Sequence, residues 1–195
     1  MTIELILALA GFAFVTSITP GPNNIMLMTS GANFGFRRTI PHMLGVGLGF
    51  CLMIVLVGFG LAAIFETYPV ARMILKGLSV AYMLWLAWKI AHASAPTQQG
   101  GEGTPITFLQ AALFQWVNPK AWAMALSAVT LYAPEGYPLA VLWVALIFAA
   151  INLTSVGSWT VLGQQMRRVL TSPARLRAFN ISMAVLLIAS LVPML

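Results

Sequence analysis

Only 7% of this 195-residue chain is charged and 60% is hydrophobic, whereas an ordinary soluble domain is about 25% charged; a water-soluble globular protein is excluded and lipid is the expected solvent. Ten Lys and Arg outnumber four acidic residues, all Glu, for a formal charge of +6. These basic residues punctuate apolar runs and never cluster with interleaved aromatics, which excludes a nucleic-acid surface and reads as positive loops facing the cytoplasm.

Gaps between charges bound the spans, because a bilayer core of about 30 Å takes about 20 apolar residues as helix and lipid-exposed backbone must satisfy its own hydrogen bonds. The N-terminus, Met1-Thr2-Ile3-Glu4, has no basic region before the first apolar stretch and no clear small-residue cleavage site after it, so that stretch is expected to be a retained helix. The first gap, residues 5–36, exceeds one span and is interrupted by Thr19-Pro20-Gly21-Pro22-Asn23-Asn24. Pro20 and Pro22 remove backbone donors and exclude an ordinary helical turn, while Gly21 permits conformations that other residues avoid. One reading is a helix broken at membrane depth, its freed backbone groups and the amides of Asn23 and Asn24 turned into a polar cavity. The other is a plain helix end and turn, followed by an interfacial helix up to Arg37.

Residues 43–65 make a second span, in which Gly45, Gly47 and Gly49 favour close helix packing or some flexibility. Cys51 lies inside it and, as the single cysteine, excludes an intramolecular disulfide or a CxxC redox carrier. The third span, 69–91, has Lys76 and Lys89 placed to snorkel to opposite faces, and Trp85 and Trp88 as interface anchors. A polar linker, 94–104, then divides a single integral membrane domain, 1–195, into halves 1–93 and 105–195.

The fourth span, 106–133, is apolar except for Lys120. Within it Asn118 suits an N-cap and Pro119 a first helical position, so a half-helix is expected to start at Asn118. Its N-terminal N–H groups and the Lys120 ammonium together suit a carboxylate. A rise of 1.5 Å per residue sets Lys120 about 20 Å deep if the helix starts near Ile106, where an ionisable group signals function; if the span starts later, Lys120 snorkels or pairs structurally. Gln115 and a cluster of Asn152, Thr154, Ser155 and Ser158 in the fifth span, 137–163, could meet the polar groups of a small solute, or pack and hydrogen-bond between helices. The last span is 179–195. His42 and His92 sit near expected membrane edges and make no metal-site spacing with Cys51; no metal or cofactor is expected.

The expected fold is thus an all-α membrane protein of about six transmembrane helices in two three-helix halves. An odd number of spans per half makes the halves inverted repeats if they are homologous, and both first helices are interrupted, as in many secondary transporters. Arg37, Arg38, Lys89, Arg167, Arg168, Arg175 and Arg177 fall on one side and only Arg72 and Lys76 on the other, which sets both termini outside a bacterial inner membrane.

In these motifs the sequence resembles the LysE/RhtB family of bacterial amino-acid exporters over most of its length. The resemblance rests on Thr19-Pro20-Gly21-Pro22-Asn23, on Gly35-Phe36-Arg37 with the Gly45 to Gly49 region, on Ala81-Tyr82-Met83-Leu84-Trp85-Leu86-Ala87-Trp88-Lys89-Ile90, and on Asn118-Pro119-Lys120. The third-helix run most closely resembles members that export cysteine and O-acetylserine. It implies export driven by an ion gradient, by proton antiport, with the proline-rich and Asn-Pro-Lys motifs lining the path. Against proton coupling, no acidic residue lies deep in any span: Glu4, Glu66, Glu102 and Glu135 fall near ends or in loops. A relay would then fall to Lys120, to a peripheral Glu or to protons carried by the substrate.

The leading expectation is a secondary exporter of small neutral amino acids or derivatives, of the cysteine, O-acetylserine, threonine and homoserine class. Lys120 would meet the carboxylate, and polar side chains and carbonyls the ammonium. The expected partners are that amino acid, a coupling proton and the lipid bilayer, with a homodimer left open and no nucleic acid. Expected path residues are Thr19, Pro20, Gly21, Pro22, Asn23, Asn24, Gln115, Asn118, Pro119, Lys120, Asn152 and Ser155. A channel or membrane subunit of a larger complex is the alternative, although the chain has no nucleotide-binding P-loop. An intramembrane enzyme is further off, because no HExxH, Asp dyad or deep His is found and no catalytic residue is named.

Overall fold

A computed structural model describes residues 1–61, 67, 69–93, 104–133 and 138–192. Residues 94–103 of the expected linker, the ends of the second and last expected spans, Glu66, Glu102, Glu135 and the side chain of Arg72 lie outside the described residues. Those described form eight α-helices: α1 (Ile3–Ile18), α2 (Pro22–Phe34), α3 (Phe36–Leu56), α4 (Pro69–Ala91), α5 (Phe108–Val117), α6 (Pro119–Tyr132), α7 (Pro138–Met166) and α8 (Pro173–Ala189). A π-helical turn, Val57–Leu61, continues α3.

Local chemistry sets most boundaries. Thr2 caps α1 by accepting from the Leu5 N–H at 3.3 Å, and α1 stops at Thr19, whose extended backbone is what the residue before a proline adopts. Pro22 restarts the chain as the first residue of α2, at 58° to α1. Gly35, at φ 81°, ends α2 in a conformation that favours glycine, so α3 begins at Phe36, earlier than charge spacing suggested. In the same way the Ser172 hydroxyl accepts from the Arg175 N–H at 3.2 Å and Pro173 fills the first position of α8. The last helix therefore starts before Arg175 and Arg177 rather than after them. The third expected span, 69–91, coincides with α4.

By length and apolarity, three helices among the described residues suffice to cross a membrane: α3 with its π turn, α4 from Met73, and α7; α1 with α2 is a fourth if the bent pair is one span. α2 is buried on nearly every side. It packs on α7 with almost no clearance, since a Cβ on Gly31 would overlap the Thr160 carbonyl and one on Gly163 the Met28 carbonyl. Gly45 and Gly49 likewise face the backbone of α5, and Gly47 meets Leu153 of α7, so these glycines serve close packing.

Two apolar clusters build the interior. One gathers Ile25, Met26, Met43, Val46, Leu86, Phe114 and Val156; the other gathers Leu9, Ala13, Phe50, Met53, Ala125, Val144 and Phe148. Along α3 the change of cluster falls between Val46 and Phe50, and along α7 between Phe148 and Val156. That level is also where α1 gives way to α2 and α5 to α6, so a polar layer is enclosed between two dry ones.

The ends of α2, α4, α7 and α8 are tied together beyond the first cluster. Gln164 accepts from the Phe36 N–H at 2.6 Å. The fully buried Asn33 and Asn180 exchange hydrogen bonds at 2.8 and 3.0 Å, and Asn180 also donates to the Ala93 carbonyl at 2.7 Å. Arg37, Arg38, Lys89, Arg167, Arg168, Arg175 and Arg177 border these four helix ends.

Candidate functional site

A helix that stops inside a protein leaves its last carbonyls without intrahelical donors, and Pro20 and Pro22 have no N–H to offer. Side chains from three other helices meet the carbonyls of α1. The Ser17 carbonyl accepts from Asn24 Nδ2 at 2.8 Å and Ser155 Oγ at 2.9 Å. Trp159 Nε1 reaches Ile18 at 3.1 Å. The Thr19 carbonyl takes both Asn24 Nδ2 at 2.9 Å and the Lys120 ammonium at 2.6 Å.

Lys120 arrives there from the second break. Asn118 is extended, as a residue before proline should be, and its Oδ1 accepts from the Lys120 N–H at 3.1 Å, capping α6 with Pro119 in its first position. The Lys120 stem runs over Gly21, where a Cβ would lie 2.8 Å from Lys120 Cδ and 3.1 Å from Nζ. Gly21 itself is extended, φ −171° and ψ 178°, a conformation open to any residue. Its requirement is therefore space for the lysine, not the unusual backbone anticipated from its sequence context. Between the two breaks, Asn23 and Gln115 exchange hydrogen bonds at 2.9 and 3.2 Å, and Gln115 also donates to the Ala111 carbonyl at 2.8 Å.

A cavity of ≈ 30 Å³ lies among these groups, lined by Thr16, Ser17, Gly21, Asn23, Asn24, Val46, Phe50, Gln115, Asn118, Lys120, Ala121, Met124, Asn152 and Val156. Ligand pockets run to about 300–1,000 Å³, so in this conformation the space is only of water size. Two of its lining atoms, Ser17 Oγ and Asn152 Oδ1, are buried and make no hydrogen bond. Such atoms cost free energy unless something pairs with them. Among the described residues the only acidic side chain is Glu4, in the first turn of α1, so no carboxylate there neutralises Lys120.

The arrangement separates two kinds of recognition. The Lys120 ammonium and the N-terminal ends of α2 and α6 border the cavity and favour an anion. The Thr19 carbonyl and the unpaired Asn152 Oδ1 accept hydrogen bonds and favour a cationic donor.

Of the residues expected to line a path, Gly21, Asn23, Asn24, Gln115, Asn118, Lys120 and Asn152 border the cavity. Thr19 contributes its carbonyl and Ser155 braces α1, while Pro20, Pro22 and Pro119 act through the backbone breaks. Thr154 and Ser158 turn their hydroxyls to the carbonyls of Ala150 and Thr154 on their own helix and stand outside the site. Thr16, Ser17, Val46, Phe50 and Trp159 were not singled out. Ser17 had a signal, as the last polar side chain before the break, and Val46 and Phe50 had none beyond being apolar. His42 is wholly buried (0% exposed). No group of three or more His, Cys, Asp or Glu positioned to hold a metal ion occurs among the described residues.

Comparison with known proteins gives a family model for a LysE type translocator that matches residues 14–190. The cysteine/O-acetylserine efflux protein of Escherichia coli O139:H28 is 33% identical over 194 residues, covering 96% of each chain. The proteins of the same name from Escherichia coli K12 and Shigella sonnei are each 32% identical over the same extent. No solved structure matches the chain.

Proposed function

This chain belongs to the family of LysE-type translocators, and from that membership we propose that it exports small neutral amino acids or their derivatives from the bacterial cytoplasm by proton antiport. It is a multi-pass membrane transporter and not an enzyme. The efflux proteins it resembles are named for cysteine and O-acetylserine, and zwitterions of that size are the substrates we assign.

One observation carries this reading: the Lys120 ammonium has no carboxylate partner among the described residues and is held by the Thr19 carbonyl at the edge of a small polar cavity. A zwitterion enters by replacing that hydrogen bond. Its carboxylate takes Lys120, and its ammonium takes the carbonyl end of α1 and the amide oxygen of Asn152. Both new contacts are charge-assisted, whereas the one replaced has a neutral acceptor. A second positive charge on the substrate would find no acid near it among the described residues, which argues against dibasic amino acids. Because the cavity holds no more than a water, loading requires a rearrangement of the helices around it, as alternating access demands.

The six-span, inverted-repeat architecture is part of the proposal and is supported by how the helices pair. Matching α1–α2, α3 and α4 with α5–α6, α7 and α8, the broken pair of each half packs on the long helix of the other. α3 packs on α7 and α4 on α8, as equivalent elements across a two-fold axis would. The basic residues at the shared ends of α2, α4, α7 and α8 support a cytoplasmic position for that end, with both termini outside.

The test is uptake of radiolabelled Cys, O-acetylserine, Thr, homoserine and Lys into inverted membrane vesicles, with and without an imposed proton gradient. Accumulation of neutral substrates but not Lys, dependent on the gradient, is expected. Dissipation of substrate gradients without accumulation would instead favour a channel.

A further inference from the structure

Both ring nitrogens of His42 are buried without a hydrogen-bond partner, and the side chain is fully shielded. An apolar side chain would fill the same space without leaving polar atoms unpaired, so packing does not account for a histidine here. Its position is informative. On α3, residues 42, 46 and 50 share one face, and Val46 and Phe50 line the central cavity. His42 is one turn further toward the basic end, a rise of about 6 Å. Beyond it, Thr39 and Ser30 join hydroxyls at 2.9 Å, and Ser30 borders a second cavity of ≈ 230 Å³ that also includes Met26, Lys89 and Ile106. The imidazole therefore stands between the substrate cavity and a wider one at the end read as cytoplasmic.

The charges around it are few. α2, α5 and α7, which pack on α3, carry no titratable side chain; α6 carries Lys120 and Tyr132, and Lys89 of α4 acts on His42 through its charge. α3 itself holds Arg37, Arg38 and Cys51. No described carboxylate is close enough to compete, since Glu4 begins α1. Histidine is the side chain that ordinarily exchanges its proton between pH 5 and 8; fully desolvated here and facing the Lys89 charge, His42 can take one only when the site opens to water.

We propose that His42 carries the coupled proton, an inference that rests on the antiport reading above. One ring nitrogen binds a proton when the central cavity communicates with the outside. The imidazolium gives it up toward the basic-end cavity, past the Thr39–Ser30 hydroxyl pair, when the protein returns for substrate. One proton is bound and one released in each cycle, and no other reactant takes part.

Purified full-length wild type, His42→Gln and His42→Leu, reconstituted in liposomes, test this with two readouts: substrate counterflow without a gradient, and accumulation driven by a difference of one pH unit. One-for-one antiport supports about tenfold accumulation per pH unit, because a tenfold ratio and one unit are the same free energy. Both variants should keep counterflow but lose accumulation, ending at equal concentrations inside and out. Accumulation by a variant at the wild-type level overturns the role of His42 alone. Loss of counterflow in both variants, or failure of both to fold, assigns the imidazole to structure and also overturns it. Wild type that shows counterflow but never accumulates overturns the antiport reading, and His42 with it.

Discussion

Gly21→Ala separates positioning of Lys120 from stability of the fold. The backbone at Gly21 is extended, so alanine introduces no conformational strain. Its Cβ would sit 2.8 Å from Lys120 Cδ, and since carbon atoms rest about 3.5–4.0 Å apart, the lysine stem must move by about 0.7 Å or more. A flexible side chain accommodates that displacement by swinging aside, and the 2.6 Å hydrogen bond from Nζ to Thr19 is lost. Hydrogen bonds to charged groups contribute about 1.5–3 kcal/mol, so transport that depends on this placement should fall about 10- to 150-fold. Global stability should change little, because the partially exposed ammonium finds other partners. Initial rates of labelled substrate uptake in inverted vesicles measure the first effect, and thermal unfolding of the detergent-solubilised protein the second. Wild-type uptake by Gly21→Ala would refute the claim that this glycine positions the lysine, as would a loss of folded protein in place of a loss of transport.

Gly163→Ala should do the opposite, since its Cβ would overlap the Met28 carbonyl and neither backbone can yield without parting α2 from α7. Overpacking of this kind costs about 1–3 kcal/mol, read as a lower melting temperature and reduced membrane yield. Asn152→Leu removes a buried oxygen that has no partner, so the melting temperature should hold or rise while uptake falls. A variant that is both less stable and fully active would contradict that assignment.

Proline chemistry made the site legible in the sequence. Pro20, Pro22 and Pro119 act within a residue or two of themselves, so both breaks, and the cap that Asn118 supplies, follow without any tertiary information. Gln115 and Asn152 were legible as polar side chains in apolar spans. Helix faces were not legible, because in lipid the outer surface is as apolar as the interior; nothing in the sequence distinguishes Val46 and Phe50, at the cavity, from Leu48 and Leu52, exposed on the outside. Reading spans from charges also misplaced the starts of α3 and α8, which Gly35 and Ser172-Pro173 set locally. Nor does the sequence show that the side of α3 carrying His42 faces inward and buries it completely. Gly21 was read for its backbone freedom, when its value is the room it leaves a residue 99 positions away, a relation that only the folded chain reveals.

The most direct test of the central claim is uptake of labelled cysteine into inverted vesicles that contain wild type or Lys120→Met, matched for folded protein. Methionine preserves the length of the stem and removes the charge. The account predicts gradient-dependent accumulation by wild type and none by the folded variant. Equal accumulation by both would show that Lys120 does not receive the substrate carboxylate and that the cavity between the two helix breaks is not the transport site.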